Sequence, residues 1–189
     1  MDLYYYSEFN VNTPTTGQAS QVLKAAFYES FDPSAIAAFL RGLSGKTESQ
    51  RRDVEGFLGE GSHFQSFRMS TRPLELAVSV AKSTFTNRGE LALKRWREAL
   101  NLARKIEGET LVPPMEVIQS DGLTALVMPR GTDLTKASNA AANQRLHETS
   151  KALGSAGLVL DDYPQLRQAQ GVPFIIDWSD LGFLRPALR

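Results

Sequence analysis

Cysteine is absent from the 189-residue chain, which excludes disulfides, thiolate metal sites and a cysteine nucleophile. Histidine is scarce: His63 and His147 are the only two, too few for a histidine-rich metal centre. Net charge is missing as well. Twenty-one basic residues balance twenty-one acidic ones, so no global positive field argues for nucleic acid as a partner. No apolar run approaches the roughly eighteen residues that a membrane-spanning helix needs. The first residues, MDLYYYSEFNVNTPTTGQ, lack both a basic n-region and an apolar h-region, so a Sec-type leader is not expected. What remains, 42% hydrophobic and 22% charged, is the composition of a globular protein of one domain or one domain plus an arm.

Residues 1–19 begin with the aromatic cluster Leu3–Tyr6 and turn polar, and read as a mobile or loosely docked arm. Residues 20–55 read as a helical extension. Val22, Leu23, Ala26 and Phe27 lie at helical spacing behind Ser20, Asp32-Pro33 opens a second helix running to about Leu43, and Thr47–Val54 is a short charged third. From Gly56 the pattern changes to strands over Phe57–Met69 and Leu74–Lys82, turning at Thr71-Arg72-Pro73. The periodic apolar positions of Glu90–Glu107 predict a strong helix ended by Gly108. Asp121-Gly122 predicts a hairpin between Met115–Gln119 and Leu123–Met128. A helix is expected over Asn139–Leu153, then a strand over Leu158–Leu160.

The stretch Val172–Leu181 carries most weight. Val172–Ile176 reads as a short buried strand that delivers Asp177 at its exit, with Trp178 directly behind. Alone, Asp177 is as well explained by capping the turn that follows. Other stretches add chemistry. Gly59-Glu60-Gly61 places two glycines in the turn between the first strands, where backbone N–H groups can approach phosphate oxygens, although a hairpin turn needs glycine anyway. Lys82 closes the third strand. Glu98 borders the apolar stripe of the next helix and would hold Lys82, unless it pairs with Lys94 on its own helix; Glu90 is the second choice. Asp161 and Asp162 end the Leu158–Leu160 strand, fifteen residues ahead of Asp177. Two carboxylates at neighbouring strand ends suit divalent-metal phosphoryl chemistry.

In this order and spacing, the pieces over residues 56–182 resemble a protein kinase catalytic domain. The resemblance implies an α+β fold, a minimal bilobal arrangement with a small lobe over 56–130 and a truncated large lobe over 131–189. It implies ATP and Mg²⁺ as cofactors. Gly59 and Gly61 would cover the phosphates, Lys82 held by Glu98 would contact them, and Met128, Arg130 and Gly131 would form the link that takes adenine. Asp162, preferred over Asp161, would orient the substrate hydroxyl, and Asp177 would hold the metal where kinases carry Asp-Phe-Gly. The third loop glycine is replaced, with Phe64 near its place. The catalytic-loop histidine and metal-binding asparagine are missing too; Gln165 or Gln168 would stand in for the asparagine, with Gln168 as the second metal ligand.

Only twelve residues follow Asp177, which leaves no room for an activation segment. That shortness resembles the minimal Ser/Thr kinases that bacteria inject into host cells by type III secretion. It implies delivery into a host cell, with the bacterial cytoplasm as the alternative, and a monomer acting on a host protein such as a chaperone or a ubiquitin-pathway component. Nucleic acid and a membrane span are not expected. A pseudokinase that serves as a binding module is the rival expectation, and a small-molecule kinase of the aminoglycoside type a weaker one.

Overall fold

A computed structural model describes residues 16–106, 111–160 and 164–184, and they form an α+β fold. Three helices come first: α1 (Thr16–Ser30), α2 (Pro33–Ser44) and α3 (Glu48–Arg51). Asp32 caps α2 by accepting from the Ser34 and Ala35 N–H groups, with Pro33 at the first position where a missing N–H costs nothing. Thr47 and Gln50 close a reciprocal capping box on α3. The first helix begins at Thr16, so the expected arm is shorter than residues 1–19, and what precedes Thr16 lies outside the described residues.

Strands β1 (Phe57–Glu60), β2 (Phe64–Met69), β3 (Leu76–Ala81), β4 (Glu116–Ser120) and β5 (Leu123–Pro129) build one antiparallel sheet in the order β1-β2-β3-β5-β4. Between β3 and β4 lie the one-turn helix α4 (Ser83–Thr86) and the long helix α5 (Glu90–Ala103), which ends in a 3₁₀ turn over Arg104–Ile106. Asp121 and Gly122 both have positive φ, 50° and 76°, as a two-residue hairpin turn between β4 and β5 requires.

Alternation along the strands divides the core into two layers. Phe67, Leu76, Val78, Val80, Ala125 and Val127 point to one face, where Leu23, Phe27, Ile36, Leu40 and Leu43 of α1 and α2 cover them. The other face presents Ala81, Leu126 and Met128 to Trp96, Ala99, Leu100 and Ala103 of α5. The N-terminal helices are therefore a structural layer of the sheet, because without them one whole apolar face would meet water.

Beyond the sheet the chain runs through α6 (Lys136–Ser155), β6 (Leu158–Leu160), β7 (Leu166–Ala169), β8 (Val172–Ile175) and β9 (Leu181–Phe183). The β7–β8 pair is a hairpin turned at Gln170-Gly171, again with two positive φ values, 50° and 76°. β9 pairs antiparallel with β6. Neither β7 nor β9 carries a hydrophobic alternation long enough to announce it in the sequence. Among the described residues no helix is long and apolar enough to cross a membrane.

Candidate functional site

A cavity of about 620 Å³ opens where the β1–β2 end of the α5-side sheet face meets the β7–β8 hairpin and the segment after β8. Leu58, Ala77, Leu126, Met128 and Ile176 supply apolar lining, and the end of β1 with the turn that follows, Gly59 to Phe64, closes one side. Pro129, Arg130 and Gly131 border one end, and Asp177, Ser179 and Asp180 also line the space. A slot with apolar walls and a few convergent polar groups is the usual form of a small-molecule site.

The end at Gly131 is held closely. A Cβ on Gly131 would lie 2.3 Å from the Cβ of Arg167 and 3.3 Å from the Phe174 ring, so only glycine lets the β7–β8 hairpin approach. Paired backbone bonds between Thr132 and Gln168 (2.8 and 3.0 Å) tie the link after β5 to the same hairpin. The Arg130 N–H is engaged by the Glu75 carbonyl at 2.9 Å, and its guanidinium pairs with Glu75.

Gly59 lies within β1 rather than in the turn, at a bulge with φ of 144°. The turn proper is Gly61–Phe64, closed by the Gly61 N–H donating to the Phe64 carbonyl at 2.9 Å. Lys82 sits beneath this turn but does not line the cavity. Its Nζ donates to the Gly61 carbonyl at 3.3 Å and lies 3.8 Å from the Glu60 carboxylate. Glu60 also accepts from Arg52 and from Gln65, whose Nε2 is 2.9 Å away, and the Arg52 bond first, then Gln65, holds its carboxyl below the ordinary value.

The expected Lys82–Glu98 pair does not form. The inward face of α5 is set by Trp96, Ala99, Leu100 and Ala103, and Glu98, two residues and about 200° on from Trp96, is exposed to solvent, as is Glu90. On β3 the side chains turned to the cavity are Ala77 and Ser79, and the Ser79 hydroxyl meets that of Ser66 at 2.9 Å. Lys82, one residue past the strand, has left that alternation.

Asp177 does line the cavity, and it also caps its own turn. Its Oδ1 accepts from the Ser179 N–H at 3.2 Å and the Ser179 hydroxyl at 2.8 Å. The turn-capping reading of this residue is thus observed, in a residue that also lines the cavity. Trp178 packs inward at 1% exposure, its Nε1 donating to the Ile175 carbonyl, while its own carbonyl accepts from Trp96 Nε1 at 2.8 Å. This second bond anchors the Asp177 segment to α5.

Gln168, expected as the second metal ligand, does not line the cavity. Its side-chain amide donates to the Asp133 carbonyl at 2.9 Å, outside the cavity, whereas Gln165, just before β7, lines it. Asp161 and Asp162 lie outside the described residues. Among those that are described, no three His, Asp or Glu side chains gather as a metal cage.

Sequence reading missed a cluster beside the cavity. His63, at the tip of the glycine turn, Arg88, just before α5, and Asp180 meet within 2.6 to 4.0 Å of one another. Its one advance signal was that half of the chain's histidine falls inside a glycine turn. No protein-family model matches the chain, and no curated protein matches it either.

Proposed function

We propose that the cavity binds ATP with Mg²⁺ and that the chain transfers a phosphoryl group to a Ser or Thr hydroxyl of a protein, as a minimal kinase-like phosphotransferase. One observation carries the reading: a glycine turn, a glycine-containing link after β5 and the strand-exit Asp177 all line a single slot beneath an antiparallel sheet ordered β1-β2-β3-β5-β4. The slot's volume, its apolar walls and its backbone-rich ends suit a nucleotide. Mg²⁺ is commonly held by one or two carboxylates plus substrate phosphates and water, so Asp177 with Gln165 beside it is a fitting donor set.

On this reading Leu58, Ala77, Met128 and Ile176 enclose the base, and the link at Pro129–Gly131 borders it. Gly59 and Gly61 let the backbone come close to the phosphates, and Asp177 orients the metal; the resemblance alone assigns the hydroxyl-orienting role to Asp162. The metal ion supplies charge neutralisation and alignment of the transferred group. Delivery by type III secretion, and a host chaperone or ubiquitin-pathway component as target, stay part of the proposal on the strength of the resemblance alone.

A non-catalytic nucleotide-binding module is the second reading, favoured by Lys82 being held by Glu60 and not by Glu98. Two measurements separate them. Thermal unfolding with ATP, with and without Mg²⁺, should show metal-dependent stabilisation of several degrees. Labelled ATP with a eukaryotic lysate should mark protein with the wild-type chain and not with Asp177→Asn. Stabilisation without labelling selects the binding module, and the absence of both stabilisation and labelling overturns the nucleotide reading.

A further inference from the structure

Two segments far apart in the chain converge on the guanidinium of Arg88. Its Nη2 is 2.6 Å from His63 Nε2 in the glycine turn and 3.3 Å from Asp180 Oδ1, three residues beyond Asp177. Its Nη1 donates to the Ser179 carbonyl at 3.4 Å, and its Cζ stands 4.9 Å from the Phe85 ring centroid. A planar fork of five donors serves several acceptors at once in a way that no other side chain can.

We infer that Arg88 is the positioning residue of the site: it clasps the glycine turn to the segment carrying Asp177, and so presets the gap in which the phosphates of the proposed nucleotide lie. The inference rests on the nucleotide reading given above. Apart from this clasp, the turn's described polar contacts are strand bonds, the Lys82 contact and the Thr84 hydroxyl on the Ser62 carbonyl, all at the β2–β3 end. The Phe64 ring packs on Phe85 and Trp96, an apolar contact, so among the described hydrogen bonds it is those of Arg88 that join the turn to the Asp177 side. A cover that is already clasped spares the ligand the ordering of the turn, whereas an unclasped one reduces apparent affinity by the fraction of time it is closed.

The clasp also dictates a proton. A guanidinium only donates, so His63 Nε2 must accept, and the neutral ring carries its hydrogen on Nδ1. Nδ1 is buried and has no partner among the described residues, so nothing on the ring's other side selects this tautomer. Arg88 alone among the described contacts does so.

The test uses the full chain and two readouts. The ring ¹⁵N shifts of the two histidines, with exposed His147 as internal reference, should show His63 in the Nδ1–H tautomer in the wild type. In Arg88→Met they should relax to a mixture weighted towards Nε2–H. Titration with MgATP should give a dissociation constant about tenfold weaker for Arg88→Met, the loss expected for charge-assisted bonds that are partly exposed. In turnover the loss should fall on KM more than on kcat, because bound ligand restores the closed geometry. Arg88→Lys, which can reach His63 or Asp180 but not both, should lie between, and Asp180→Asn should weaken binding in the same direction. A His63 tautomer unaffected by Arg88→Met overturns the clasp, and so does MgATP binding as tight as in the wild type. A wild-type chain that does not bind MgATP overturns the nucleotide reading instead, and the tautomer measurement still decides whether the clasp exists.

Discussion

Asp177 caps its own turn and, on the proposed function, also orients the metal; a well-chosen substitution separates the two. Asparagine keeps an Oδ1 able to accept from the Ser179 N–H and hydroxyl, so the turn survives while the charge is lost. Asp177→Asn should therefore unfold within about 0.5 kcal/mol of the wild type yet lose at least about a hundredfold in phosphoryl transfer. Asp177→Ala should lose the same activity and about 1 kcal/mol more in stability, read from urea unfolding. Gly131 is constrained by close approach. A methyl group 2.3 Å from the Arg167 Cβ must push the β7–β8 hairpin away, so Gly131→Ala should cost about 1–3 kcal/mol and weaken MgATP binding together.

Among the elements, α4 shows how a poor local signal is rescued from a distance. Its N-cap, Lys82, offers no side-chain bond, and the Glu48 carboxylate supplies one from α3 by accepting the Ser83 N–H at 2.7 Å. The Ser83 backbone bond first, then its hydroxyl, holds the Glu48 carboxyl below its ordinary 4.5. A depressed folded value means stability that is complete above 4.5 and lost as pH falls through the lower folded value. Glu48→Gln should therefore cost about 0.5 kcal/mol near neutral pH, a small figure because the group is solvent-screened, and the gap to the wild type should close in acid. Denaturant curves at neutral pH and below 4.5 check both the sign and the window. The join between α5 and the Asp177 segment is the Trp96 indole bond to the Trp178 carbonyl. Trp96→Phe should remove the shorter of that carbonyl's two hydrogen bonds, leaving the Leu181 N–H at 3.4 Å, and cost about 0.5–1.5 kcal/mol, with a loss of MgATP affinity as the segment loosens.

For the whole molecule, the helices before residue 45 cover one face of the sheet and are not an appendage to it. Leu40 is fully buried among Phe67 and the β3 and β5 side chains. Leu40→Ala should cost about 2–5 kcal/mol in a single unfolding transition shared with the sheet. Two separate transitions, with the sheet melting unchanged, would show the helices to be an independent unit. The opposite layer has another role: it packs α5 and Trp178 together and leaves the cavity at its β1–β2 end.

Most of the strands and helices were legible in the sequence because each rests on short-range physics. Asp32-Pro33, Asp121-Gly122 and the apolar stripe of α5 specify a cap, a turn and a helix from neighbours within a few residues. Asp177 at a strand exit, and the inward Trp178 behind it, follow from the same local pattern. The partners of the site were not legible, because they are chosen by how elements stack. The end of β3 sends Lys82 to Glu60, the phase of α5 sends Glu98 to water, and the β7–β8 hairpin turns Gln165 inward and Gln168 out. Convergence of His63, Arg88 and Asp180 needs a glycine turn, a loop and a strand exit brought to one place. No spacing along the chain encodes that, so only the packed structure decided it.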